Sequence, residues 1–155
     1  MNSFTTILER DKTNMLNYLA AYGATALALL ALDVVWLGFI AKSSYRDGIG
    51  HLMADTPNLV AGGVFYLLYP AGVLLFALAP EAWSGGLTAP AHVPWPRAIL
   101  AGALFGFFAY ATYDLSNLAT LRGWPLGLTL VDIAWGTALT ATAAAAGRWV
   151  LGRMT

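Results

Sequence analysis

Residues 58–78 read NLVAGGVFYLLYPAGVLLFAL, without one Lys, Arg, His, Asp or Glu. A helix rises about 1.5 Å per residue, so about 20 mainly apolar residues cross the roughly 30 Å hydrocarbon layer of a membrane. The stretch predicts a membrane-spanning helix. Thr56-Pro57 before it supplies a capping hydroxyl and a proline of the kind found at a first helical turn.

Working outward, three more stretches have the same character. Residues 16–41 are broken only by Asp33, residues 98–118 carry Asp114 near their end, and residues 125–150 carry Asp132 near their start. Pro96 precedes the third stretch and Trp124-Pro125 opens the fourth. Pro80, Gly85, Gly86, Pro90 and Pro94 predict an irregular loop between the second and third. The short connection 119–124 predicts that the third and fourth helices form an antiparallel hairpin. Arg10 and Lys12 before the first stretch invite comparison with a signal peptide. Its apolar run is too long, no small-residue cleavage site follows, and it reads as a retained helix. The expected fold is an all-α integral membrane protein, a four-helix up-down bundle with both termini on one side. Residues 1–14 form a polar tail and residues 15–155 a single membrane domain, with Met15 as an alternative start.

Composition agrees. Of 155 residues, 59% are hydrophobic and 10% charged, against roughly 25% charged in an average soluble domain. Eight basic residues balance eight acidic ones, leaving no surplus for a phosphate backbone, so nucleic acid is not an expected partner. The absence of cysteine excludes disulfides, thiol nucleophiles and thiolate metal sites. Arg10, Lys12, Arg97, Arg148 and Arg153 fall on the side of the termini, and Lys42, Arg46 and Arg122 on the other. That asymmetry predicts cytoplasmic termini.

The three aspartates carry the functional reading. Asp33 lies about 12 Å from the end of the first span at 1.5 Å per residue, Asp114 about one turn from the end of the third, and Asp132 about two turns after the start of the fourth. In an up-down bundle all three ends face one side, so the acids fall at one depth. Each costs about 2.5–3.5 kcal/mol at a bilayer centre on insertion scales, and no basic residue adjoins them along the spans. Mutual repulsion in a low dielectric predicts a cluster that shares a proton. Ala98, Gly102, Gly106, Tyr110 and Asp114 recur every fourth residue, as do Asp132, Gly136, Thr140 and Ala144. Both series are stripes along which helices approach closely, with Gly102 and Gly106 read as packing. Trp36 and Trp135 each follow an aspartate by one turn. Tyr66, Tyr69, Tyr110, Tyr113 and Asn117 add hydroxyls and an amide, and Pro70 frees the carbonyl of Tyr66. Arg46 and Arg122 would grip an anionic head group at the mouth. Their simpler role is interfacial snorkelling. The acids, similarly, could serve only to fix the bundle through hydrogen bonds. A single His51 beside carboxylates gives no metal motif, and no cofactor is implied.

The run Asp33-Val-Val-Trp36-Leu-Gly38 joins two others, Tyr113-Asp114-Leu-Ser-Asn117-Leu-Ala-Thr120-Leu-Arg-Gly123-Trp124-Pro125 and Thr129-Leu-Val-Asp132-Ile-Ala-Trp135-Gly136. Together they resemble the bacterial membrane-protein family known as domain of unknown function 2177, over about residues 15–147. The resemblance implies a four-helix protein of the bacterial inner membrane and, loosely, a lipid context through neighbouring genes for fatty-acid modification. Three functions are then in play. One is a lipid-modifying enzyme or its accessory subunit, with Asp33, Asp114 and Asp132 handling protons. The second is a proton-coupled transporter or channel working as a homo-oligomer, and the third a structural subunit beside a membrane-protein partner. No nucleophile elbow or nucleotide loop names a reaction.

Overall fold

The computed structural model describes residues 3–80 and 93–154 and, among these, contains helices and no strand. Helix α1, Ser3–Val35, passes directly into a wider π-helical turn, Trp36–Ile40, in which the Ala41 N–H donates to the Trp36 carbonyl at 2.8 Å. A short helix α2, Lys42–Ile49, and one tight turn, Gly50–Leu52, follow. Helix α3, Leu59–Val73, ends in a second π-helical turn, Leu74–Leu78, and α4, Trp95–Thr120, and α5, Leu126–Met154, complete the chain. Four helices are long and apolar enough to cross a membrane: Thr6–Ile40, Leu59–Leu78, Trp95–Thr120 and Leu126–Met154.

The ends differ from expectation for local reasons. Residues 3–14 continue α1 instead of forming a separate tail. Lys12 pairs with Glu9 at 3.7 Å, the Thr13 hydroxyl donates to the Glu9 carbonyl, and Asn14 and Asn17 are buried. Asn58, not Thr56, caps α3, its side-chain oxygen accepting from the N–H groups of Val60 and Ala61. Pro96 sits inside the first turn of α4, where its missing N–H is harmless. The expected irregular loop falls largely on residues 81–92, outside the described residues.

Helices α4 and α5 meet along the two small-residue stripes. Gly102 abuts Ala144 and Gly106 abuts Gly136 and Thr140, so the pair runs in opposite directions. A methyl at Gly106 would lie 2.5 Å from Thr140 Oγ1, nearer than atoms can approach. Lipid tails are as apolar as leucine, so close backbone contact of this kind is what holds such helices together. One end of the molecule is packed tightly by Tyr18, Ala21, Val73, Leu78, Ala98 and Ala144. At the other end α3 stands off from α4, which it meets through its final π-helical turn and Tyr69. Leu59 and Val60 are 83% and 77% exposed there. That divergence leaves the space in which the polar side chains gather.

Candidate functional site

Asp33 and Trp36 stand one turn apart on α1, and Asp132 and Trp135 repeat the spacing on α5. The two indoles stack with ring centres 4.2 Å apart and planes 5° from parallel. Trp135 Nε1 donates across to Asp33 Oδ1 at 3.4 Å, and the Tyr66 hydroxyl donates to Asp33 Oδ2 at 3.1 Å. Asp132 accepts a short hydrogen bond from the Tyr45 hydroxyl. Tyr45 arrives from α2, whose inner face is formed by Ala41, Tyr45 and Ile49 while Lys42, Arg46 and Asp47 are exposed. Burial, reinforced by the hydrogen bond to Asp132, pushes the Tyr45 phenol well above its usual range, so it keeps its proton and donates. Trp36 Nε1 is buried close to the Tyr45 oxygen but completes no hydrogen bond.

These groups surround a cavity of about 540 Å³. Asp33 and Asp132 are its two carboxylates, Trp36 and Trp135 its indoles, and Tyr45, Tyr66, Tyr69, Tyr110 and Tyr113 its phenols. The Tyr69 hydroxyl is held by Thr140 Oγ1 at 2.8 Å. Tyr110 lays its ring on Gly136, where a methyl would come 2.6 Å from Tyr110 Cδ1, so the glycine is what lets the ring reach the cavity wall. Leu37, Phe65 and Tyr113 line the cavity and are 47%, 40% and 56% exposed, giving it an apolar and aromatic rim within the spans.

A profile of the family described as predicted membrane protein, DUF2177, matches residues 18–149. The chain belongs to this family. No curated protein and no solved structure matches it. The matched segment contains every lining residue of the cavity, so the site lies wholly within the part of the chain that defines DUF2177.

Other residues singled out in the sequence lie apart from the cavity of this DUF2177 chain. Asp114 is fully buried, close enough to Asp132 for their charges to interact, yet it does not line the cavity and neither of its oxygens has a hydrogen-bond partner. Among the described residues no hydrogen bond joins one carboxylate to another. The expected proton-sharing cluster is replaced by two carboxylates that take their hydrogens from phenols and an indole, and a third that takes none. Asn117 is half-buried one turn from Asp114 and does not reach the lining. Arg46 borders a separate surface depression with Phe39 and Lys42, and Arg122 is exposed in the connection between α4 and α5. His51 packs against Gly123 in that connection. No three His, Cys, Asp or Glu side chains gather for a metal among the described residues.

Tyr45 and Tyr69 were absent from the expected site residues. Tyr69 was noted as a contributor on the second span, and its three-residue offset from Tyr66 places both phenols on one face of α3. For Tyr45 the signal was the i, i+4, i+8 series Ala41, Tyr45, Ile49, an amphipathic pattern inside a segment that otherwise reads as a polar loop.

Proposed function

We propose that this DUF2177 protein modifies a membrane lipid, or serves as the lipid-binding subunit of an enzyme that does. Its bundle is taken to be up-down, in the bacterial inner membrane, with cytoplasmic termini. The observation that carries the reading is the cavity itself. It holds two carboxylates in an aromatic wall, and its rim is apolar and lies within the spans, a form suited to an amphiphile whose polar end enters from the bilayer. Sites for small ligands commonly measure about 300–1,000 Å³, so about 540 Å³ takes a head group and the start of a chain.

In this reading Asp132 is the proton-handling group, since Tyr45 O–H is aimed at it and keeps it oriented towards the bound head group. Asp33, fixed by Tyr66 and Trp135, is its counterpart across the cavity. Asp114 lies behind Asp132 and tunes it by charge. Trp36, Tyr110 and Tyr113 shape the binding wall. Arg46 and Arg122 act at the membrane surface and not on reacting atoms.

The test is mass spectrometry of lipids from cells with and without the gene, complemented with wild type, Asp132→Asn or Asp33→Asn. Loss of the gene is expected to change the abundance of at least one lipid species. Wild type restores it, and Asp132→Asn, although found in the membrane fraction, does not. A lipid profile indifferent to the gene removes the proposal.

A further inference from the structure

The charges and rings around the cavity narrow the ligand class. No Lys, Arg or His is among the lining residues, whereas two aspartates are. The hydrogens that might have served an anionic ligand are already committed, Tyr66 O–H and Trp135 N–H to Asp33 and Tyr45 O–H to Asp132. A phosphate or carboxylate placed here would face two carboxylates with no opposing cation, in surroundings where like charges are poorly screened. A cation meets the reverse situation. The rest of the wall is aromatic, with Trp36, Tyr69 and Tyr110 beside the acids, and ammonium groups are drawn to the faces of such rings.

Resting on the reading of the cavity as an amphiphile site, we propose that the head group it takes carries a cationic nitrogen, a primary or quaternary ammonium. The nitrogen lies between Asp33 and Asp132, and its chain leaves past Leu37 and Phe65 towards the lipid.

The full chain, purified in a neutral maltoside detergent, is titrated below the micellar range with three ten-carbon amphiphiles that differ only at the head: decyltrimethylammonium, decyl phosphate and decanol. Binding is read from tryptophan emission, to which the stacked Trp36 and Trp135 report. Decyltrimethylammonium is expected to saturate the signal at a concentration at least tenfold lower than either of the others. The Asp33→Asn/Asp132→Asn double variant is expected to lose at least tenfold of that affinity. The ranking of the three probes on the wild-type chain decides the matter even where the double variant fails to fold. Equal or tighter binding of decyl phosphate or decanol overturns the cationic assignment and leaves the amphiphile site standing. Failure of all three to saturate overturns both.

Discussion

The segments Asp33-Val-Val-Trp36 and Asp132-Ile-Ala-Trp135 have the same spacing and stack their indoles on one another, yet their polar groups have different fates. Trp135 reaches across and hydrogen-bonds Asp33. The reciprocal bond, Trp36 to Asp132, is missing because Tyr45 has taken Asp132, and the Trp36 N–H is left buried and unpartnered. Spacing therefore sets which groups share a level, while a third element, α2, decides which of them bond. The difference matters energetically. A hydrogen bond made contributes about 1 kcal/mol net, whereas a buried polar group left without one costs about 1–3 kcal/mol.

The largest effect should come from deleting the second indole. Trp135→Ala removes the stack and the donor to Asp33 together, and truncation of a large buried aromatic costs about 3–5 kcal/mol. Thermal unfolding in mild detergent is expected to show a drop of that order, and near-neutrality would mean that the stack holds nothing. Next comes Tyr45→Phe, which deprives Asp132 of its donor at a cost of about 1–3 kcal/mol. Pairing this change with Asp132→Asn in a double-mutant cycle should return a coupling of comparable size, and a coupling near zero would separate α2 from the site.

The smallest effects discriminate most sharply. Trp135→Phe and Trp36→Phe each preserve an aromatic ring in the stack and delete one N–H. The first loses a hydrogen bond, about 1 kcal/mol, and the second removes a group that has none, so its cost stays within about 0.5 kcal/mol or is a slight gain. Equal losses in the two variants would show that the indoles are interchangeable and that the asymmetry described above is without energetic content.

Much of this was legible beforehand, and the reasons are specific. Four charge-poor runs announced four spans because the cost of an unpaired charge in lipid is large enough to mark nearly every position. Depth counted from span ends brought Asp33 and Asp132 to one cavity, and the every-fourth-residue stripes anticipated the contact of α4 with α5. Asp114 obeyed the same counting yet finished behind Asp132, since depth says nothing about whether a side chain faces a hollow or a neighbouring helix. Arg46 and Arg122 were expected at the mouth by proximity along the chain. They lie outside the cavity lining because α2 is helical and turns Tyr45 inward while Arg46, the next residue, turns out. Partner choice depends on the rotation of each helix, which a count of residues does not contain.

The π-helical turn at Trp36–Ile40 carries a consequence for how this chain tolerates insertion and deletion. Such a turn holds one residue more than regular winding, so removing a single position from it would restore the ordinary helix and swing everything beyond by about 100°, one residue's share of a 3.6-residue turn. Tyr45 would then rotate away from Asp132 with no change in its own identity. The segment works like a crank whose angle is set by one surplus residue, and chain length there is as much a part of the site as the side chains it delivers.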